Sequence, residues 1–300
     1  MSDPAKPLKD LPKKNDFFVG IDSDGCVFDS MGIKQRECFC PWYIAYFDLQ
    51  PVAEIARECK DFADLFSKTR GLNRHKTIAR ILTELLPSHP KVQERGFKVP
   101  PFKFYCDWVN NPASKLSDAG LEEAIANTSS QEQKAELQRA LEWSKKVNET
   151  VRAIVKNVPP FQYVRESLEK LQGKADVIVC SQTPCEALER EWAEHSIDGY
   201  VSVIAGQEMG TKSEHLKIAI DSKYDKDKCL MIGDAPGDEK AARDNGILFF
   251  PINPHNGELS WKRFYEEAFD KFTAGEYAGE YEDSLIKEFH DQLPENPSWV

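Results

Sequence analysis

Short apolar runs that stop abruptly at polar residues, alternating with stretches of helical periodicity, organise this chain. Residues 17–21 are wholly apolar or Gly, too few for a helix, and are followed by Asp22-Ser23-Asp24-Gly25, which predicts a buried parallel strand ending in a turn. After Pro159-Pro160 the same grammar repeats. It predicts helices at 163–171, 185–194, 214–221 and 239–244, and strands at 177–180, 201–205, 229–232 and 247–250. Strands alternating with helices at this spacing imply an α/β fold with a parallel sheet and right-handed crossovers.

Between these blocks the period changes to that of helices. Aromatic and charged positions recur at helical spacing from about Met31 to Arg57 and again from His75 to Leu86, where Pro87 and Pro90 intervene. A further helix is predicted over 113–127. Ser130-Gln131-Glu132-Gln133 supplies a capping box for a long one, whose apolar stripe runs through Leu137, Leu141, Ser144, Val147, Val151, Ile154 and Val155. The chain therefore divides into a core of residues 1–32 and 158–300 and an inserted, mostly helical domain of residues 33–157. Residues 260–292 predict two more helices, rich in aromatics and acids, that cover the core.

Composition narrows the functional classes. With 300 residues, 41% hydrophobic and 30% charged, the chain is long enough for one large domain or two coupled ones. A formal charge of −11 argues against nucleic acid as a partner, which needs a basic face, yet allows a small phosphorylated substrate in a locally positive cleft. No window approaches the roughly eighteen apolar residues of a membrane span, and the polar start offers no signal sequence. Eight cysteines show no disulfide or zinc spacing, Cys38-Phe39-Cys40 being the one close pair, which predicts a reduced, cytoplasmic protein.

The chemistry lies where the apolar runs end. Asp22 and Asp24 follow the first strand, Ser181 the second, and Gly233-Asp234-Ala235-Pro236-Gly237-Asp238 the fourth; Lys212 is expected to enter from a loop. Ligands of parallel α/β sheets bind beyond the carboxyl ends of the strands, so these residues are expected around one crevice. Clustered carboxylates repel unless a cation sits among them, and an oxygen-rich site suits Mg²⁺. Lys212 and the Ser181 hydroxyl would supply donors to phosphoryl oxygens. Each segment alone also has a bland reading, since Asp and Gly favour turns and Asp and Ser cap helices.

In this order and placement, Asp22-x-Asp24-Gly25, Ser181, Lys212 and Gly233-Asp234-x-x-x-Asp238 resemble the haloacid dehalogenase-like superfamily of phosphatases and phosphotransferases. The resemblance covers roughly residues 15–32 and 158–252 and implies a Rossmann-like core. It implies that Asp22 is the nucleophile of an aspartyl-phosphate mechanism and Asp24 the general acid and base. Ser181 and Lys212 would hold the phosphoryl group, while Asp22, Asp234 and the Asp24 carbonyl ligate Mg²⁺ with Asp238 as ligand or neighbour. The implied activity is a Mg²⁺-dependent phosphomonoesterase acting on a small phosphorylated metabolite. A phosphomutase on a phosphosugar would use the same residues, and a binding protein on the same fold is the non-catalytic alternative. The carboxylate at Asp24 argues against phosphonate cleavage. Cys26 and Gln182 depart from the usual pattern, where Thr or Val and Asn are common.

The insertion, about 125 residues long, would by the same resemblance be a cap over the active site. Within it Lys68, Arg70, Arg74, His75, Lys76 and Arg80 occur without an acid, which marks Arg70 and Arg74 as candidate contacts to an anionic substrate. Phe39, Trp42, Tyr43, Tyr46 and Phe47, at helical spacing, read as a packed face rather than a stacking surface. His195 and His215 are assigned no catalytic part.

Overall fold

Five short strands, β1 (Phe17–Ile21), β2 (Ala175–Cys180), β3 (Val203–Ala205), β4 (Cys229–Gly233) and β5 (Leu248–Pro251), form one parallel sheet in the order β3-β2-β1-β4-β5. Ile21 at the end of β1 stands opposite Val179 of β2 and Ile232 of β4. The strands are buried on both faces, and alternate residues serve two different layers. Val19, Ile21, Val177, Val179, Leu230 and Ile232 face one apolar cluster, while Phe18, Ile178, Cys180, Cys229 and Met231 face the other. The chain runs outward from β1 through β2 to β3, then crosses back to β4 on the other side. The strand order thus reverses beside β1, the kind of place where such sheets bind ligands.

Residues 3–299 are described by this computed structural model. They fall into two units: the chain up to Met31 with Asn157–Leu293, and Gly32–Lys156 with the chain from Pro294 onward. The tail from Pro294 is thus a departure from the expected division, which left it with the core. The Pro294 carbonyl accepts the Lys68 amide at 3.3 Å and the Glu295 carbonyl accepts Arg80 Nη2 at 2.6 Å. The Trp299 ring lies 5.6 Å from Phe62 and 5.0 Å from His89.

In the sheet unit, helices Val164–Leu171 and Cys185–Glu194 cover one face, and Lys212–Ile220 and Pro236–Asp244 the other. Glycine at position 20 permits this closeness, since a Cβ there would lie 2.7 Å from Leu216 Cδ2. The C-terminal segment covers both faces. Trp261, Phe264, Phe269, Phe272 and Tyr277 join the first cluster, and Phe289 of helix Glu280–Asp291 and Leu293 just beyond it the second. Near the amino end of β2, Asp176 is buried and anchors the incoming chain. It accepts the amides of Lys14 and Asn15 and the Tyr224 hydroxyl, at 2.8, 3.0 and 2.6 Å. Burial would raise its pKa, but these hydrogen bonds outweigh it and hold the carboxyl below its ordinary value.

The helical unit contains helices Cys40–Tyr46, Ala53–Leu65, Arg74–Arg80, Lys103–Asn110, Asp118–Asn127 and the long Gln131–Ile154, with wider π-type turns at Lys34–Phe39 and Ile81–Leu85. The expected capping box is half formed: Ser130 Oγ accepts the Gln133 amide, but the Gln133 side chain turns back to the Thr128 hydroxyl at 2.6 Å. Phe39, Tyr43 and Phe47 are buried, and Phe47 packs 4.8 Å from Phe102 and 5.8 Å from Trp143. Among the described residues no helix is long and apolar enough to cross a membrane.

His75 lies in this aromatic interior, its Nδ1 3.1 Å from the Tyr105 hydroxyl and its ring 5.7 Å from Trp143. Burial, aided by the Arg74 charge, lowers its pKa from 6.5 to about 3. It stays neutral in the folded protein and takes a proton on unfolding, so stability present above pH 6.5 is lost as pH falls toward 3. Between pH 7 and pH 5 this amounts to about 2 kcal/mol. His75→Phe should therefore show a shallower loss of urea midpoint over that range than the parent chain, whatever its midpoint at pH 7.

Candidate active site

Each end of the central strands delivers a polar group, and backbone bonds fix where it points. The Asp22 amide donates to the Ile232 carbonyl at 2.9 Å, and the Ser181 amide to the Ala205 carbonyl at 2.9 Å, so both residues extend the ladder one step. Asp22 Oδ1 accepts the amide of Ser23 at 2.8 Å. Gly25 then takes φ of 77° and its amide donates to the Phe28 carbonyl, which folds residues 24–28 back as a tight flap. The Trp192 indole donates to the Ser23 hydroxyl at 3.0 Å and the Trp261 indole to the Cys26 carbonyl at 2.7 Å, so two buried tryptophans brace this turn.

Lys212 corrects an expectation. It is the first residue of helix Lys212–Ile220 rather than a loop residue. Thr211 caps that helix, accepting the Glu214 amide while the Glu214 carboxylate accepts the Thr211 amide, and this reciprocal box begins the helix before its apolar stripe does. Asp238 likewise lies within helix Pro236–Asp244, its Oδ2 accepting the Ala235 amide at 3.0 Å. Gly233 is obligatory for this arrangement, because a Cβ there would come within 2.3 Å of Asp238 Cβ.

These elements bring Asp22, Lys212, Asp234 and Asp238 together. Lys212 Nζ is 2.8 Å from Asp22 Oδ2 and 2.5 Å from Asp238 Oδ1. Asp22, Asp234 and Asp238 are all buried and offer one carboxylate oxygen each within 4.8 Å of one another. Burial, reinforced by the charges of Asp238 and Asp234, drives the Asp22 carboxyl well above its usual pKa against the pull of Lys212. Burial would lower the Lys212 ammonium, but Asp22 and Asp238 outweigh it and hold its pKa well above the usual lysine range. Three buried carboxylates around one ammonium leave a net negative site, and its donor set of hard oxygens fits a divalent cation such as Mg²⁺.

The Asp24 carboxylate stands outside that triad. Its Oδ1 accepts the Ser30 hydroxyl at 2.6 Å and its Oδ2 the Thr183 hydroxyl at 2.8 Å. Ser181 is buried, and its Oγ accepts the Thr183 amide at 3.2 Å. Gln182 donates to the Gly210 carbonyl at 3.1 Å and so ties this loop to the segment leading into Lys212.

A sequence profile described as haloacid dehalogenase-like hydrolase matches residues 102–252, half of the chain. The chain belongs to the haloacid dehalogenase-like hydrolase family. The matched stretch carries Ser181, Lys212, Asp234 and Asp238, while Asp22 and Asp24 precede it and join the site through β1. No curated protein matches the chain. Solved structures similar to this family member include a haloacid dehalogenase-like family hydrolase from Streptococcus pneumoniae. It is 15% identical with a TM-score of 0.44, over 82% of this chain and 90% of that one. A HAD-superfamily hydrolase of subfamily IA from Geobacter sulfurreducens is 15% identical, TM-score 0.39, over 80% and 90%. Another from Ehrlichia chaffeensis is 13% identical, TM-score 0.40, over 84% and 98%.

Two arginines singled out in the insertion have interior partners. Arg74 donates to the Ser144 hydroxyl at 3.2 Å and to Asn148 Oδ1 at 2.8 Å, with its guanidinium 4.8 Å from the Phe39 ring. Arg70 is buried and donates to the Leu65 carbonyl at 3.0 Å. Ser30 and Thr183, by contrast, are site residues that pattern reading missed. Nothing in a hydroxyl's spacing announces a partner 159 positions away, as Thr183 is from Asp24.

Proposed function

We propose that this chain is a Mg²⁺-dependent phosphomonoesterase acting on a small phosphorylated metabolite through an aspartyl-phosphate on Asp22. The observation that carries the reading is Lys212 held between Asp22 and Asp238 inside a buried carboxylate triad, with a second carboxylate, Asp24, two residues after the first.

Asp22 attacks phosphorus through a carboxylate oxygen, and the bond from phosphorus to the leaving oxygen breaks. Asp24 gives its proton to that oxygen, so the alcohol departs neutral. Asp24, now a carboxylate, takes a proton from water as the water oxygen attacks phosphorus. The acyl-phosphate bond breaks, returning Asp22 and releasing inorganic phosphate. Lys212 and the Ser181 hydroxyl stabilise charge on the phosphoryl oxygens. Asp22, Asp234 and Asp238 would hold Mg²⁺, which when bound offsets the charge of the carboxylates and of the phosphate. Eight free cysteines, seven of them buried, support a reducing compartment such as the cytoplasm. Neither Arg70 nor Arg74 is assigned a contact with substrate.

The test is phosphate release from a panel of phosphorylated sugars, nucleotides and small acids, with Mg²⁺ and with a chelator. Release that needs Mg²⁺ and falls to background with the chelator is the expected result. Phosphoryl transfer between positions of a sugar without release would replace the reading with the mutase one, and inertness toward the whole panel would sink it.

A further inference from the structure

We infer that Thr183 is a positioning residue for the proton transfers of Asp24, an inference that rests on the phosphatase reading above. Asp24 sits on the flap of residues 24–28, and a carboxyl group there can turn about its own side-chain bonds unless both oxygens are held. Ser30 Oγ holds one, at 2.6 Å, and Thr183 Oγ1 the other, at 2.8 Å. A hydroxyl can donate to an oxygen of a carboxylate or of a carboxylic acid, so the same contact serves Asp24 before and after it gives up its proton and leaves that proton for the leaving oxygen.

Thr183 is suited to this because its own backbone is pinned. Its carbonyl accepts the Gln207 amide at 3.1 Å, and the backbone at Gly206 passes so close that a Cβ there would lie 2.6 Å from that carbonyl. The Glu208 carboxylate accepts the Cys185 amide at 3.0 Å and secures the other side of the same loop. The Thr183 amide donates to Ser181 Oγ, which leaves the Ser181 proton free to point at a phosphoryl oxygen. One residue thus sets the donor direction of Ser181 with its amide and the plane of Asp24 with its hydroxyl. A supporting contact of this kind governs rate because small displacements of a reacting group are costly.

Thr183→Val keeps the shape and the amide but removes the hydroxyl. The expected result with an alkyl phosphate is a fall in kcat of about 10- to 100-fold with KM little changed. Thr183→Ser should return kcat to near that of the parent. The burst of phenolate from 2,4-dinitrophenyl phosphate should stay fast in the valine variant, because that leaving group needs no proton in the first step. A valine variant that turns over alkyl phosphates as fast as the parent overturns this inference alone. So does one that is folded but whose phenolate burst is slowed as much as its turnover of the alkyl phosphate, since that marks a merely structural role. If the valine variant does not fold, Thr183→Ala takes its place in the same comparison. A parent chain that turns over neither substrate overturns the phosphatase reading and this inference with it.

Discussion

Replacing Asp22 with asparagine should abolish turnover, by at least about 10⁴-fold, while leaving the fold intact. The substitution is isosteric, so the Ser23 amide keeps an acceptor and β1 keeps its place in the sheet. What disappears is the proposed nucleophile, and Asp238 is poorly placed to replace it, as it spends one oxygen on the Ala235 amide and the other on Lys212. Stability without metal should hold or rise, because burial and the charges of Asp238 and Asp234 disfavour the Asp22 carboxylate. Affinity for Mg²⁺ should fall, since one of three ligand oxygens with charge is gone. Single-turnover assays on the best substrate, with thermal unfolding in Mg²⁺ and in chelator, read all three. Survival of more than about a hundredth of the parent rate would exclude a covalent route through Asp22.

Lys212→Met has the second largest expected effect, and it reaches stability as well as rate. The ammonium, 17% exposed, is the cation that the described residues place directly against Asp22 and Asp238. Removing one partner of a buried ion pair leaves charge unpaired, at a cost of about 3 kcal/mol or more. In chelator the variant should therefore melt well below the parent. Mg²⁺ should recover part of the loss, because a divalent cation meets the same carboxylates and binds only the folded chain. Rate should not recover with it: kcat should remain down by about 10³-fold, as the positive charge on the phosphoryl oxygens is missing. Equal melting temperatures of parent and variant in chelator would show that Lys212 does not pair the cluster. Recovery of rate by Mg²⁺ alone would remove Lys212 from catalysis.

Much of this site is legible in the sequence because parallel strands buried on both faces leave a strong mark: short apolar runs with their chemistry at one end. Asp22, Ser181 and Asp234 are found that way. Lys212 and Asp238 are found as residues but misplaced in structure. A helix read from its apolar stripe begins too late, whereas the Thr211 and Glu214 cap and Pro236 begin it earlier. Arg74 shows a different limit. A basic stretch without local acids suggests an anion, and the fold brings one from elsewhere in the chain: Ser144 and Asn148, which accept from Arg74, also donate to the Asp118 carboxylate. Thr183 and the two bracing tryptophans depend on contacts between distant segments and leave no local trace, whereas Ser30 meets Asp24 from the next turn of chain, where a serine has no distinguishing pattern.

The placement of the last residues has a topological consequence. The chain passes between its two units three times, after Met31, after Lys156 and after Leu293. A single cut at any one passage leaves two covalent threads intact. A protease nick after Lys156 would yield one piece bearing β1 and most of the helical unit, and another bearing β2 to β5 and the tail. Those pieces remain laced together, by the ladders of β1 with β2 and β4 on one side and by Trp299 against Phe62 and His89 on the other. Nicked protein should then be hard to distinguish from whole protein until it is denatured.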